Sequence, residues 1–195
     1  VSTHCIPAKT ESITKNSQEQ QNWYALRTTY GREKKAYDYL VAKGVSAFYP
    51  TIQVMKEIRG QRKVVTESRL PNIFFAFGTE EEIKNNVNLP YLRFYYRHMH
   101  EGARITKSPL IVPQKQIEGL KIICESEADD ILYVPEEVQK FKEGQMVRVI
   151  DGKFKGLTGR VARYQGQQRV AIIVDGGFTM ATAYLPTAFL EYIIE

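Results

Sequence analysis

The sequence has few of the residues on which covalent and metal chemistry depends. It contains two cysteines and three histidines among 195 residues. Cys5 and Cys124 are too few for a disulfide framework, so the composition favours a reducing compartment and predicts a cytoplasmic protein. His98 and His100 have the spacing of two metal ligands on one face of a strand, but no further ligand follows nearby. We therefore predict neither a metal nor another cofactor.

Long apolar runs and catalytic motifs are also missing. The longest apolar run, Ile73 to Phe77, has the length of a strand and is far shorter than the roughly 20 residues of a membrane-spanning helix. We expect no association with a membrane. The sequence has no G-x-S-x-G elbow, no phosphate-binding loop and no pair of acids beside a base. These absences predict that the protein is not an enzyme.

Charge is unevenly distributed along the chain, although the formal net charge is only +5. Between Arg27 and Arg69, ten lysines and arginines accompany four acids, whereas between Glu125 and Glu143 seven acids accompany two lysines. A basic first part followed by an acidic connector indicates that the first part contacts a polyanion. On composition alone, an ordinary solvated surface is an open alternative.

The apolar pattern predicts an α+β fold for the first part of the chain. Strand-forming and helical periods alternate, and the unbroken apolar run from Ile73 indicates a central strand covered on both faces. Gly44 ends the first helix and Gly60 is the tip of a basic hairpin. The predicted elements are a strand over 23–28, a helix over 32–43, a strand over 45–58 interrupted at Pro50, a returning strand over 63–69, a strand over 73–77, a helix over 80–87, a strand over 93–96 and a helix opened by Pro113.

The second part of the chain is predicted to be a small all-β domain. Two short runs of alternating apolar residues surround a turn that contains Gly152, Gly156 and Gly159. This stretch, from Gly144 to Val161, resembles the KOW motif. Further strands are expected over 169–174 and 178–184, with a turn at Asp175, and over 189–194.

The order of these features resembles the NusG family of transcription elongation factors. Trp23 and Tyr24 begin the first strand, the segment from Leu70 to Phe75 follows a basic hairpin, and a KOW-like stretch comes last. The resemblance implies a four-stranded antiparallel sheet with helices, followed by an SH3-like KOW barrel. Asn72, the polar start and the Ile111 to Pro113 segment are most similar to the specialised UpxY and RfaH-type paralogues, antiterminators that include regulators of polysaccharide operons.

The resemblance also implies partners and site residues. A segment formed by Leu70, Pro71, Asn72 and Ile73 is expected to dock on the clamp of RNA polymerase and suppress pausing and termination. The alternative is that Leu70 and Ile73 belong to the ordinary core of the sheet. Tyr30, Arg32, Lys34 and Lys35 are expected to bind the non-template DNA strand in the transcription bubble, where a helix start and cations favour phosphate. Phe154 and Leu157 are expected to present apolar side chains of the KOW domain to a small-subunit ribosomal protein or to Rho.

The predicted domain organisation is a flexible tail over 1–20, a NusG-type N-terminal domain over 21–124, an acidic linker over 125–140 and a KOW domain over 141–195. The proline-bearing linker predicts that the two domains of a monomeric protein are independent. A ribosome-associated, RNA-binding KOW protein is the alternative function. The target operon and the KOW partner are not determined by these patterns.

Overall fold

Two antiparallel sheets organise the chain in the computed structural model, which describes residues 20–135, 144–174 and 176–194. The predicted tail before Gln20, the linker after Pro135, the predicted domain start at Phe141 and the turn residue Asp175 lie outside the described residues. The first unit contains β1 (Asn22–Thr28), α1 (Glu33–Ala42), β2 (Ser46–Phe48), β3 (Thr51–Ile58), β4 (Gln61–Ser68), β5 (Ile73–Gly78), α2 (Glu80–Asn86), β6 (Leu92–Phe94), β7 (Tyr96–Glu101), β8 (Arg104–Pro109), β9 (Ile111–Val112) and α3 (Gln114–Glu125). The second contains β10 (Leu132–Pro135), β11 (Met146–Val149), β12 (Thr158–Tyr164), β13 (Gln167–Val174), β14 (Phe178–Ala181), a 3-10 turn (Thr187–Phe189) and β15 (Leu190–Tyr192).

The first sheet has the strand order β2-β5-β1-β6, with β9 pairing a further part of β1. Two hairpins, β3–β4 and β7–β8, form separate two-stranded sheets. Side chains alternate between the two faces of a strand. On one face Leu26 and Phe74 pack in a core with Ala36 and Leu40 of α1 and Ile83 of α2. The predicted α+β class is confirmed.

The opposite face of the first sheet is apolar as well. Ala25, Ile73 and Phe75 are buried there in a second core cluster. The same cluster contains Ile117, Leu120 and Ile123, the face of α3 that the helical period predicts. Strand β5 is therefore covered on both sides, as its unbroken apolar run indicates.

Six strands form the second sheet, in the order β10-β14-β13-β12-β11-β15. Within the described residues the pairing does not close into a barrel. Strand β10 lies inside the segment predicted to be a linker, yet Leu132 to Pro135 pair with β14. The buried Arg169 of β13 holds the residues before this strand, since its guanidinium donates to the Asp130 carbonyl at 2.8 Å and to a carboxylate oxygen of Asp130 at 2.6 Å. A four-residue strand in an acidic context has too weak a local pattern to be recognised without its partner.

The two units share one apolar core, which corrects the prediction that they are independent. The core cluster that contains Phe75 and the buried face of α3 continues into the second sheet. The rings of Phe75 and Phe178 have centroids 6.2 Å apart. Gln116 of α3 donates to the carbonyl of Ile173 at 2.9 Å, and the Tyr95 hydroxyl donates to the carbonyl of Gly177 at 3.2 Å. The composition of the linker could not predict this contact, because the residues that form it lie outside the linker, in the two units that it joins.

Helix α3 approaches the second sheet closely at Gly119. A Cβ atom at this position would lie 2.7 Å from Cδ1 of Ile172 and 3.0 Å from Cδ1 of Leu157. Such distances require a neighbouring atom to move. A glycine inside a helix costs about 1 kcal/mol relative to alanine, so the close packing compensates for an unfavourable residue.

We predict that Gly119→Leu separates the two units without unfolding α3. Leucine is a better helix former than glycine, but its side chain needs the space that Ile172 and Leu157 occupy. NMR relaxation should give one rotational correlation time for the wild-type units and two shorter ones for the variant. Lys115→Leu, on the exposed face of the same helix, is the matched control and should tumble as the wild type does. A single, unchanged correlation time for Gly119→Leu would contradict the prediction.

Candidate functional site

The segment predicted to dock on a protein forms a tight turn before β5. The Ile73 amide donates to the Leu70 carbonyl at 3.2 Å, with Pro71 and Asn72 at the two central positions. Asn72 has a φ of 62°. This arrangement is typical of a type II turn, which favours proline at its second position and a residue that tolerates positive φ at its third. Proline followed by asparagine is therefore explained by backbone geometry.

Asn72 also connects this turn to the loop that precedes α1. Its side-chain oxygen accepts from the Gly31 amide at 3.1 Å, and its carbonyl accepts from the Thr28 amide at 2.9 Å. A carboxylate oxygen of Glu33 accepts from the Asn72 amide at 2.6 Å. Glu33 is 6% exposed, and its role was missed by the sequence analysis. Its one signal is an acid in the first turn of a basic helix, where a negative charge is favourable.

The predicted nucleic-acid surface surrounds that loop. Tyr30 is 89% exposed, so its ring is open to a partner. The Arg32 guanidinium and the Lys35 ammonium lie 4.9 Å and 5.8 Å from the centroid of the Tyr91 ring. Tyr91 was not predicted as a site residue, because it is distant in sequence and precedes only a three-residue strand. Stacking on this ring holds both cations beside one another on the surface.

Lys34 differs from its two neighbours because it has a carboxylate partner. Its ammonium donates to Asp38 at 2.7 Å, one helical turn further along α1. This hydrogen bond and the charge of Asp38 raise the pKa of Lys34 above its usual value. The charge of Lys34 is thus partly compensated within the helix, whereas Arg32 and Lys35 are stacked on a neutral ring.

The apolar members of the turn are covered in this conformation. Leu70 is 0% exposed and Ile73 is 2% exposed, and both belong to the core that the two units share. Pro71 is exposed and Asn72 is half-buried. The preceding Arg69 donates to the Ala128 carbonyl at 2.5 Å, and burial lowers the pKa of its guanidinium. The turn is thus held between the first sheet and the residues after α3.

The predicted partner-binding residues of the second unit are buried as well. Phe154 is 4% exposed and Leu157 is 0% exposed, and both belong to the shared core. Leu157 faces Gly119 of α3, and the neighbouring Gly156 lies against Ile122 of the same helix. The two sets of predicted protein-binding residues therefore belong to one core cluster.

No metal centre or membrane span is evident in the part of the chain that the structure describes. His98 and His100 lie on β7, but within residues 20–135, 144–174 and 176–194 no group of three or more histidines, cysteines and acids could hold a metal ion. None of the helices found there is long and apolar enough to cross a bilayer. Burial raises the pKa of the Cys124 thiol to about 11, so this cysteine is a weak nucleophile near neutral pH.

Comparison with known proteins agrees with this architecture. A family model described as transcription termination factor NusG matches residues 21–121, and a KOW motif model matches residues 143–176. The chain belongs to the NusG family of transcription termination and antitermination factors. Relatives include the transcription termination/antitermination proteins NusG of Streptococcus pyogenes serotype M3 (strain MGAS315), serotype M1 and serotype M18, each 25% identical over 180 residues that cover 85% of this chain and 93% of the relative. The predicted resemblance to the family is confirmed, whereas the similarity to the specialised paralogues stays a prediction.

We predict that Asn72→Ala lowers the free energy of unfolding of the full chain by about 1–2 kcal/mol, because a side chain without a local hydrogen bond is strained at positive φ. Urea unfolding measures this. Asn72→Gly is the matched control, since glycine accepts the same φ while losing the same contact to Gly31. Equal losses for both variants would show that the hydrogen bond, and not the backbone conformation, determines the cost.

Proposed function

We propose that this NusG-family protein is a processive antiterminator. It binds the clamp of RNA polymerase through Leu70, Pro71, Asn72 and Ile73, suppresses pausing and termination, and makes or breaks no covalent bond. Its targets are polysaccharide biosynthesis operons, and it acts in the cytoplasm as a monomer. The resemblance of Asn72, the polar start and the Ile111 to Pro113 segment to the UpxY and RfaH-type paralogues supports this choice.

The observation that carries the proposal is the hydrogen-bonded link between the turn and the basic loop. Asn72 accepts from Gly31 and donates to Glu33, so the polymerase-docking turn and the surface of Tyr30, Arg32, Lys34 and Lys35 are held in one arrangement. A protein that bridges polymerase and the non-template strand needs a fixed geometry between these two surfaces. The tertiary hydrogen bonds of Asn72 with Gly31 and Glu33 supply it.

We infer that the conformation described above is a closed state. Leu70 and Ile73 are buried in the core shared by both units, so polymerase would replace the second unit on this face of the first sheet. Release of the second unit would also uncover Phe154 and Leu157 for a small-subunit ribosomal protein or Rho. The two binding events are then linked, because each partner binds only the open form and shifts the population toward it.

Capture of core RNA polymerase by the full chain tests both parts of this proposal. We expect Gly119→Leu to capture more polymerase than the wild type or Lys115→Leu, because its docking face is uncovered. Adding Leu70→Asp to Gly119→Leu should abolish the gain, since a carboxylate is unfavourable in an apolar contact. Circular dichroism of each variant establishes that it is folded.

The outcome separates this function from its alternative. If the Gly119→Leu chain, with its units shown to be apart, captures ribosomal subunits and no polymerase, the ribosome-associated function replaces the antiterminator. If a folded Gly119→Leu, Leu70→Asp chain still captures polymerase as Gly119→Leu does, the docking role of Leu70 is wrong.

The proposed contact with the non-template strand makes a separate prediction about salt. For a single strand, the slope of log affinity against log salt falls by about 0.7 for each phosphate contact that is lost. We expect Arg32→Gln with Lys35→Gln to reduce the slope by about 1.4, measured by anisotropy of a labelled single-stranded DNA. Lys84→Gln, an exposed lysine on α2, is the control and should leave the slope unchanged. A double variant with the wild-type slope would remove these residues from the interface.

A further inference from the structure

A second basic surface lines a cleft of about 670 Å³, and the turn residues Pro71, Asn72 and Ile73 form part of its lining. The cleft lies where the first sheet, the β7–β8 hairpin and the second unit meet. Its cations are Arg27 of β1, Arg93 of β6 and Lys107 of β8, with the imidazole of His98 from β7. The second unit supplies one wall through Tyr133, Pro135 and Gly176. No aspartate or glutamate occurs among its described lining residues.

Two of the three cations of this cleft are directly opposed. Arg27 lies opposite Arg93 in the register of β1 and β6. Lys107 lies opposite His98 in the register of β7 and β8. Like charges at directly opposed positions of an antiparallel pair destabilise the sheet. Within the described residues no ion pair joins Arg27, Arg93 or Lys107 to a carboxylate, so no described acid offsets the repulsion between Arg27 and Arg93.

Aromatic rings accompany these charges. Tyr96 is 41% exposed at the mouth of the cleft. Tyr95 lies deeper, with the Arg27 guanidinium 5.9 Å from its ring centroid. Tyr133 forms part of the wall from the second unit, where burial raises the pKa of its hydroxyl, so the ring is neutral at physiological pH. Cations beside an exposed aromatic ring are the combination that binds single-stranded nucleic acid, with phosphates on the cations and a base on the ring. Tyr96 offers such a ring in this cleft.

The cleft is separate from the surface of Arg32 and Lys35. Leu26 faces the core under α1 and α2, whereas Ala25 faces the shared core. Arg27 lies on the Ala25 side, because alternate residues of a strand share a face. The two basic surfaces therefore lie on opposite faces of the first sheet.

We propose that this cleft binds single-stranded nucleic acid, with phosphates on Arg27, Arg93 and Lys107 and a base stacked on Tyr96. An extended strand matches the site better than one isolated phosphate, since the cations belong to two separate strand pairs. The site is complete only while the two units are packed together, because the second unit supplies a wall. Bound nucleic acid therefore stabilises the closed conformation, the opposite effect to that of a partner that binds the open form.

Fluorescence anisotropy of a labelled oligothymidylate of about 12 nucleotides tests the site in the full chain. All proteins carry Arg32→Gln and Lys35→Gln, so any remaining contribution of the surface before α1 is the same in every protein and cancels in the comparison. Adding Arg27→Gln, Arg93→Gln and Lys107→Gln should lower the slope of log affinity against log salt by about 2, from about 0.7 per contact. Lys43→Gln, Lys84→Gln and Lys153→Gln, three exposed lysines elsewhere, give the same change in net charge and should leave the slope unchanged.

Three further variants distinguish the contributions of base stacking and of the closed conformation from the contribution of charge. Tyr96→Ala should weaken binding at least about fivefold with an unchanged slope, whereas Tyr96→Phe should bind as the parent does. Gly119→Leu should weaken binding because it removes the wall from the second unit. Thermal unfolding of the triple glutamine variant should not shift downward, since the substitutions remove repulsion.

The proposal is overturned if the triple variant and the lysine control bind with the same affinity and the same slope. It is also overturned if an oligoglutamate of equal charge binds the parent protein as tightly as the oligothymidylate and loses its binding in the triple variant. That result would assign the cleft to an acidic polypeptide.

Discussion

The apolar second face of the first sheet is the constraint on which the rest of the molecule depends. A sheet with two apolar faces must be covered on both. Helices α1 and α2 cover one face, and α3 together with the second sheet covers the other. The close approach at Gly119 allows this packing, because a side chain there would meet Ile172 and Leu157. The residues predicted to bind partners are therefore either exposed or buried in the core that this packing forms.

This packing buries one set of candidate binding residues and leaves another set exposed to solvent. Leu70, Ile73, Phe154 and Leu157 are hidden in the shared core, whereas Tyr30 is open to solvent. The apolar residues predicted to bind proteins are therefore part of the core in this conformation, whereas the polar surface around Tyr30 is accessible to solvent. The Asn72 turn joins the two sets, since it is hydrogen-bonded to the loop before α1 while its flanking apolar residues are buried.

Charge is used differently at the two basic surfaces. In the helix surface, Lys34 has a carboxylate partner and Arg32 lies against a neutral ring, so the local structure already stabilises both cations. In the cleft between the units, Arg27 also lies near a ring, that of Tyr95, but it directly opposes Arg93 without a counter-charge among the described lining residues. Repulsion of this kind lowers stability, and a protein that retains it gains when an anion binds. The difference between the two surfaces results from the strand register, which places Arg27 opposite Arg93, and not from the net charge of the chain.

Local sequence patterns were sufficient for most elements of the fold. Helix α1 begins at Glu33 and ends before Gly44, which has a φ of 81°, and the hairpin at Gly60 turns through a φ of 74°. These features depend on side-chain period and on the backbone freedom of single residues, which the sequence displays directly. The β7–β8 hairpin was missed because its side chains are mainly exposed and carry no apolar alternation, and β10 was missed because its partner strand lies far along the chain.

The sequence by itself determined the family, the two sheets and the apolar character of both faces of β5. Only the tertiary structure decided what covers the second face, that Leu70 and Leu157 are buried together in one core, and that Arg27 opposes Arg93. The physical reason is the range of the interactions. Period, turn chemistry and capping act between residues a few positions apart, so they can be read from the chain. Burial partners and opposed charges join residues tens of positions apart, and these pairs exist only when strand register and the packing of the two units are set.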